Sequence, residues 1–156
     1  MTDRSEERPA DGLGEIPKAV LARLKKSQID FDIAFFESVL DRSPDYVDVL
    51  RCQGELLSRK GLHERALEVD RRLAKLLPHD GVVFYNLACS LVQNALHDEA
   101  LASLRRAFER GYDDFEHLEL DADMAPLRTD PRYQAIVSEF QPPPVVVERP
   151  KKSRRK

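Results

Sequence analysis

The chain has 156 residues, enough for one domain with a real core or a short repeat array with loose ends. Hydrophobic residues make up 42% beside 34% charged, which fits a helical protein with charged exposed faces; no stretch approaches the roughly 18 consecutive apolar residues of a membrane span, so neither insertion nor secretion is expected. The net charge of −3 is uneven, because 145–156 carries six basic residues and one Glu, leaving −8 for the rest, and an acidic body does not suit a nucleic-acid-binding domain.

Residues 1–13 are polar, charged and without periodicity, and read as a disordered lead-in. A first helix is expected from Pro17 to about Lys26, and Ser27-Gln-Ile-Asp30 gives a weak capping signal for a second through Asp41, with Ile33, Phe36, Val39 and Leu40 on one stripe. Ser43-Pro44-Asp45 breaks the chain. Asp45, with Asp48 three residues on, is expected to cap a third helix that ends at Lys60-Gly61. A fourth spans about His63–Leu77, a fifth opens at Asp80-Gly81, and a sixth runs from about Asp98 to Arg110 before Gly111. Two short helical turns follow, at 112–118 and 123–127. Asp130-Pro131 then starts a last helix to Phe140, docked through Tyr133, Ile136, Val137 and Phe140. Three prolines after Gln141 lead into a basic tail, 141–156, expected to be disordered.

The stretch GLHERALE at Gly61–Glu68 returns as ALHDEALA at Ala95–Ala102. Leu62/Leu96, His63/His97, Ala66/Ala100 and Leu67/Leu101 all recur at 34 residues, the length of a two-helix repeat. Small residues at Gly54/Ala88 and Ala66/Ala100 are expected where the two helices of a unit cross closely, and each unit then buries its apolar face by stacking on the next.

These positions resemble the tetratricopeptide pattern W-x2-L-G-x2-Y, A-x3-F, P. Leu50, Gln53, Gly54, Leu57, Ala66 and Pro78 take its places in the middle unit, with Asp70 departing where an aromatic is usual. Phe84, Leu87, Ala88, Leu91, Ala100 and Leu104 take them in the next, with Tyr112 where the proline would fall. A degenerate first unit keeps Ile16, Phe36 and Pro44, and Asp32 replaces its Ala. From Ala100 to Phe140 the chain, with Gly111-Tyr112, Pro126-Leu127 and Asp130-Pro131, is similar to the closing segment of such arrays in many bacterial proteins. The resemblance implies an all-α, short right-handed solenoid of antiparallel helix pairs over 14–140, with units at about 14–46, 47–80 and 81–112 and a C-terminal helical cap at 113–140.

By the same resemblance, the leading helix of each unit lines a concave groove. Asp48, Arg51, Glu55 and Arg59 would face Tyr85, Asn86, Cys89 and Gln93, and the partner-binding set is expected to be Arg51, Glu55, Arg59, Tyr85, Asn86 and Gln93. A partner segment there would bring an acidic group to Arg51 or Arg59 and an apolar side chain to Tyr85. The family's clamp for a C-terminal carboxylate is poorly matched, since Arg51 stands for its Lys, Glu55 replaces its first Asn and Asn86 alone agrees.

Catalysis, metal binding and cofactor binding are not expected. His63 and His97 sit in equivalent turns and read as solvated; His79 and His117 lack partners at ligand spacing, so a metal-dependent enzyme component is the weakest alternative. Ser and Cys residues lack a His and acid arrangement, Gly12-Leu13-Gly14 lacks the strand and third glycine of a dinucleotide loop, and no phosphate-binding loop is present. Cys52 and Cys89 fall in helical apolar patterns and read as buried, reduced thiols, which points to a cytoplasmic protein. The expected role is a scaffold for another protein or peptide. The alternative is tethering to an anionic surface or nucleic acid through Arg149, Lys151, Lys152, Arg154, Arg155 and Lys156, which unaided would be weak and salt-sensitive.

Overall fold

The computed structural model describes residues 17–141, with the backbone alone described for 21–27. The lead-in at 1–13 and the six basic tail residues lie outside the described residues. Among those described, the chain forms α1 (Lys18–Arg42), α2 (Val47–Arg59), α3 (His63–Leu76), α4 (Gly81–Gln93), α5 (His97–Glu109), α6 (Phe115–Leu120), a 3-10 helix (Ala122–Leu127) and α7 (Pro131–Phe140). No strand is found among them. Helices pack in adjacent pairs, α2 on α3 and α4 on α5, and α3 against α4 joins one pair to the next, which gives an all-helical solenoid.

The 34-residue spacing is kept by the elements themselves. Tyr46 and Asp80 precede α2 and α4, and Leu62 and Leu96 precede α3 and α5. Gly61 and Ala95 make the turns between paired helices with φ of 78° and 58°, a left-handed conformation that Gly adopts freely and Ala does not.

The first unit departs from expectation. One continuous α1 of 25 residues replaces the two expected helices. No Gly or Pro separates Lys26 from Asp30, and Gln28 Nε2 donates to Asp32 Oδ1 at 2.6 Å, one turn ahead. A Ser-x-x-Asp signal without a breaker does not stop a helix whose next turn is already bonded. The cap expected from Asp45 is also absent: Tyr46 holds the N-cap place without a side-chain bond, and Asp45, one residue too early, accepts from Arg72 Nη2 at 2.9 Å. Asp80 does cap α4, taking the amides of Val82 at 3.0 Å and Val83 at 3.2 Å.

The largest apolar cluster lies at the C-terminal end. Ala88, Leu91, Ala100, Leu104 and Ala107 of α4 and α5 meet Leu118, Met124, Leu127, Tyr133 and Ile136 of the closing segment. Val137 and Phe140 pack at its edge as expected, and Phe140 stacks on Phe108 with ring centroids 5.3 Å apart. Ion pairs pin α7 to α5, with Arg132 to Asp98 at 2.7 Å and Arg105 to Glu139 at 2.8 Å. The closing segment thus covers the last helix pair and, through α6 and the 3-10 helix, forms one side of the cleft described next.

Candidate functional site

The leading helices α2 and α4 lie side by side and leave a cleft of about 500 Å³ between them, closed at one side by the turn joining α6 to the 3-10 helix. Arg51, Glu55, Arg59, Tyr85, Asn86 and Gln93 all line it, as do Cys52 and Cys89. Asp48 is exposed and not among the lining residues.

The states of these side chains differ from one another. Arg51 is already paired: its Nη2 lies 2.7 Å from Asp80 Oδ2, both side chains about two-thirds covered. Burial pushes the Asp80 carboxyl up, but Arg51 and the amides of Val83 and Val82 outweigh that and hold it below the usual carboxylate range. The acidic partner group expected at Arg51 therefore meets an occupied guanidinium, because the cap of α4 reached it first. Arg59 lies 3.8 Å from Glu55 one turn earlier, with side chains 60% and 72% exposed, an arrangement that contributes little to stability and leaves both heads open to a ligand.

Tyr85 does not offer an open ring to the cleft. It is 3% exposed, stacks on Tyr112 at 4.2 Å and 7°, and donates its hydroxyl to Asp121 Oδ2 at 2.5 Å. Burial, then the bond to Asp121, pushes the phenol far above its ordinary range, so it stays a proton donor. An apolar partner side chain at Tyr85 would find little open ring, because Tyr112, which stands where the repeat pattern has proline, stacks on it. Cys89 Sγ is 3.6 Å from the same Asp121 oxygen, and burial, with Asp121 next, raises its thiol well above the usual range, so it is held as an unreactive thiol. Cys52, expected to be buried, is exposed on the cleft side of α2.

Asn86 stands exposed on α4, one residue past the buried Tyr85. Gln93 is half-buried: its Oε1 lies 3.3 Å from Ser58 Oγ and 2.9 Å from His63 Nδ1, an approach a carboxamide oxygen accepts when that nitrogen carries the proton. His63 is thus tied down, whereas its repeat counterpart His97 is exposed.

Three contributors from the closing segment were not foreseen from the residue pattern. His117, Asp121 and Asp123 bring the closing segment into the cleft. Asp121 is the hub, accepting the Asp123 amide at 2.9 Å through Oδ1 and Tyr85 through Oδ2. The sequence signal for it was an Asp two residues before another helical turn, a cap pattern that says nothing about Tyr85. Beneath the cleft, Asp70 is 8% exposed and accepts from Ser90 Oγ at 2.5 Å. Burial raises its carboxyl and the Ser90 bond only partly offsets this. Among the described residues, no group of three or more His, Cys, Asp or Glu is placed to hold a metal ion, and no helix is long and apolar enough to cross a membrane.

No family model matches the chain. Over 86 residues it is 33% identical to the Protein CTR9 homolog of Arabidopsis thaliana. That similarity covers 55% of this chain but 7% of the relative's length, so it reaches one small part of that protein. The helical architecture fits tetratricopeptide-like repeats, with paired helices set 34 residues apart.

Proposed function

We propose that the chain is a non-catalytic interaction scaffold that takes up a segment of another protein in the cleft between α2 and α4. The observation that carries this reading is the convergence of two leading helices and the closing turn on one concavity of about 500 Å³, with Asn86, Glu55 and Arg59 open at its edge. Arg51 is paired with Asp80 and Arg59 with Glu55, whereas Asp121 and Asp123 add to the wall and leave it with an acidic surplus. The partner segment is therefore basic or rich in amide donors, with Asn86 reading its backbone through a donor and an acceptor at once. The short identity with the Protein CTR9 homolog supports a repeat-type scaffold and does not extend to that protein's partners. Two free cysteines suit a reducing compartment, and a cytoplasmic setting is part of the proposal.

Selection of binders from a random peptide display library tests it. Enriched peptides should carry Lys or Arg and should lose binding to Glu55→Arg and Asn86→Ala proteins of unchanged helicity. Enriched peptides that bind both variants as tightly as wild type would place recognition outside the cleft.

A further inference from the structure

The end of the array opposite the closing segment has an apolar face with nothing of the described chain over it. Its position in the repeat identifies what is missing. Ser43 and Leu77 are the C-cap residues of α1 and α3, again 34 residues apart, so Phe35 in α1 holds the place of Val69 in α3 and Ser103 in α5. Both counterparts meet the leading helix of their own pair. Val69 Cγ1 lies 3.4 Å from where a Cβ on Gly54 of α2 would stand, and Ser103 Oγ donates to the carbonyl of Phe84 in α4 at 2.8 Å. Among the described residues α1 has no leading helix, because the chain is helical through the point where the pair would turn. Phe35 is consequently 53% exposed and Phe31, one turn earlier, 66%. Val20, three turns before Phe31 and on the same side of the helix, is also exposed.

We propose that this face is covered by α1 of a second copy, the two helices antiparallel about a twofold axis, each taking the leading-helix place of the other. Orientation follows from the repeat, in which leading and trailing helices run antiparallel. Charge selects the occupant. Residues 18–27 carry Lys18, Arg23, Lys25 and Lys26 and no acid, whereas 28–41 carry Asp30, Asp32, Glu37 and Asp41 and no base. An antiparallel pair lays each basic half over an acidic half; a parallel pair would set like on like. Asp30 and Glu37 already bond Lys60 and Arg65 of their own chain, but Asp32 bonds the neutral Gln28 amide. It stands where α3 and α5 bury Ala66 and Ala100, so the uncovered face presents a carboxylate that calls for a cation opposite. Asp30 is the midpoint of α1, which puts Phe31 and Phe35 of both copies close to the axis as a self-complementary apolar centre.

Sedimentation equilibrium of the full chain tests the pairing. The mass should rise with concentration from 17.9 kDa toward twice that value, and Phe31→Glu/Phe35→Glu should weaken association by about a hundredfold or more at unchanged helicity. Orientation is read separately in a Cys52→Ser background. Mixed Ala19→Cys and Arg42→Cys proteins should form disulfides between the two species in preference to pairs of either alone. A wild type that stays monomeric at every concentration, a dimer that survives the double glutamate substitution, or cross-linking of like with like would each overturn the proposal.

Discussion

Gly54 and Asp70 divide one space between α2 and α3: a Cβ on Gly54 would stand 3.2 Å from Asp70 Oδ1, closer than most side chains tolerate. The acid that replaces the repeat's usual aromatic is thus buried against the smallest residue on the facing helix, and its other oxygen reaches Ser90 on α4. One carboxylate links three helices.

Its protonation is then tied to folding. Burial raises the folded-state pKa of Asp70 above its ordinary value, so the folded state binds the proton more tightly than the unfolded chain does. The stability this gives is fully present below the ordinary value of 3.8 and is lost as pH rises through the raised one. Asp70→Asn, which keeps an acceptor for Ser90, should melt higher than wild type at pH 7, with the difference vanishing toward pH 3.8. Equal melting temperatures across that window would show that Asp70 is not desolvated.

Close crossings predict which substitutions overpack. Ala100→Leu, at a fully buried place on α5, and Gly54→Leu should each cost ~1 to 3 kcal/mol in chemical denaturation. Gly81→Ala should cost more than Gly54→Ala. A Cβ at 81 meets backbone, 2.7 Å from the Tyr112 nitrogen and 2.8 Å from the Ala107 oxygen, whereas at 54 it meets side-chain atoms that can shift.

Ala95 holds φ at 58° where its repeat counterpart is Gly61. Relief of the left-handed strain outweighs the extra freedom that glycine gives the unfolded chain, so Ala95→Gly should stabilise by up to ~1 kcal/mol. The reciprocal Gly61→Ala should destabilise by a similar amount. Thermal melts of the two single variants, with opposite signs, are the check.

The hydroxyl of Tyr85 ties α4 to the closing segment. Tyr85→Phe keeps the stack on Tyr112 and removes the donor to Asp121, and a bond to a half-buried carboxylate is worth ~1.5 to 3 kcal/mol. Faster amide exchange confined to Ala122–Leu127 would locate the loss at the closing turn; uniform acceleration would mean that the bond serves global stability alone.

Much of this fold was legible because its signals are local. Gly61, Gly111, Pro78 and the alanines at 66 and 100 mark turns and crossings whose geometry depends on the residue itself, and the helices fall where those residues put them. The first unit was misread because Ser27-Gln-Ile-Asp30 can either cap a new helix or continue an old one, and only neighbouring turns decide. At the cleft, the lining residues were legible from helical spacing, but their states were not. Arg51 is taken by Asp80 from 29 positions away and Tyr85 by Asp121 from 36 positions away, and no local pattern encodes such pairings. Gly81 looked like a helix opener; its stronger constraint is the backbone around Tyr112.

The uneven distribution of apolar packing gives the array a direction in which it comes apart. The cluster shared by α4, α5 and the closing segment is far larger than the packing that seats α1, where Ile33 meets Leu57 and Ala66 and Leu40 meets the Leu50 and Leu73 group. In a chain of nearest-neighbour units, the weakest terminal junction opens first and each remaining unit becomes the next end. Under rising denaturant, amides of α1 should therefore exchange first, those of α2 and α3 next, and those of α4 and α5 only with global unfolding. Pulled from its two termini, the molecule would unzip from the N-terminal side and leave its last pair and closing segment as the final folded remnant.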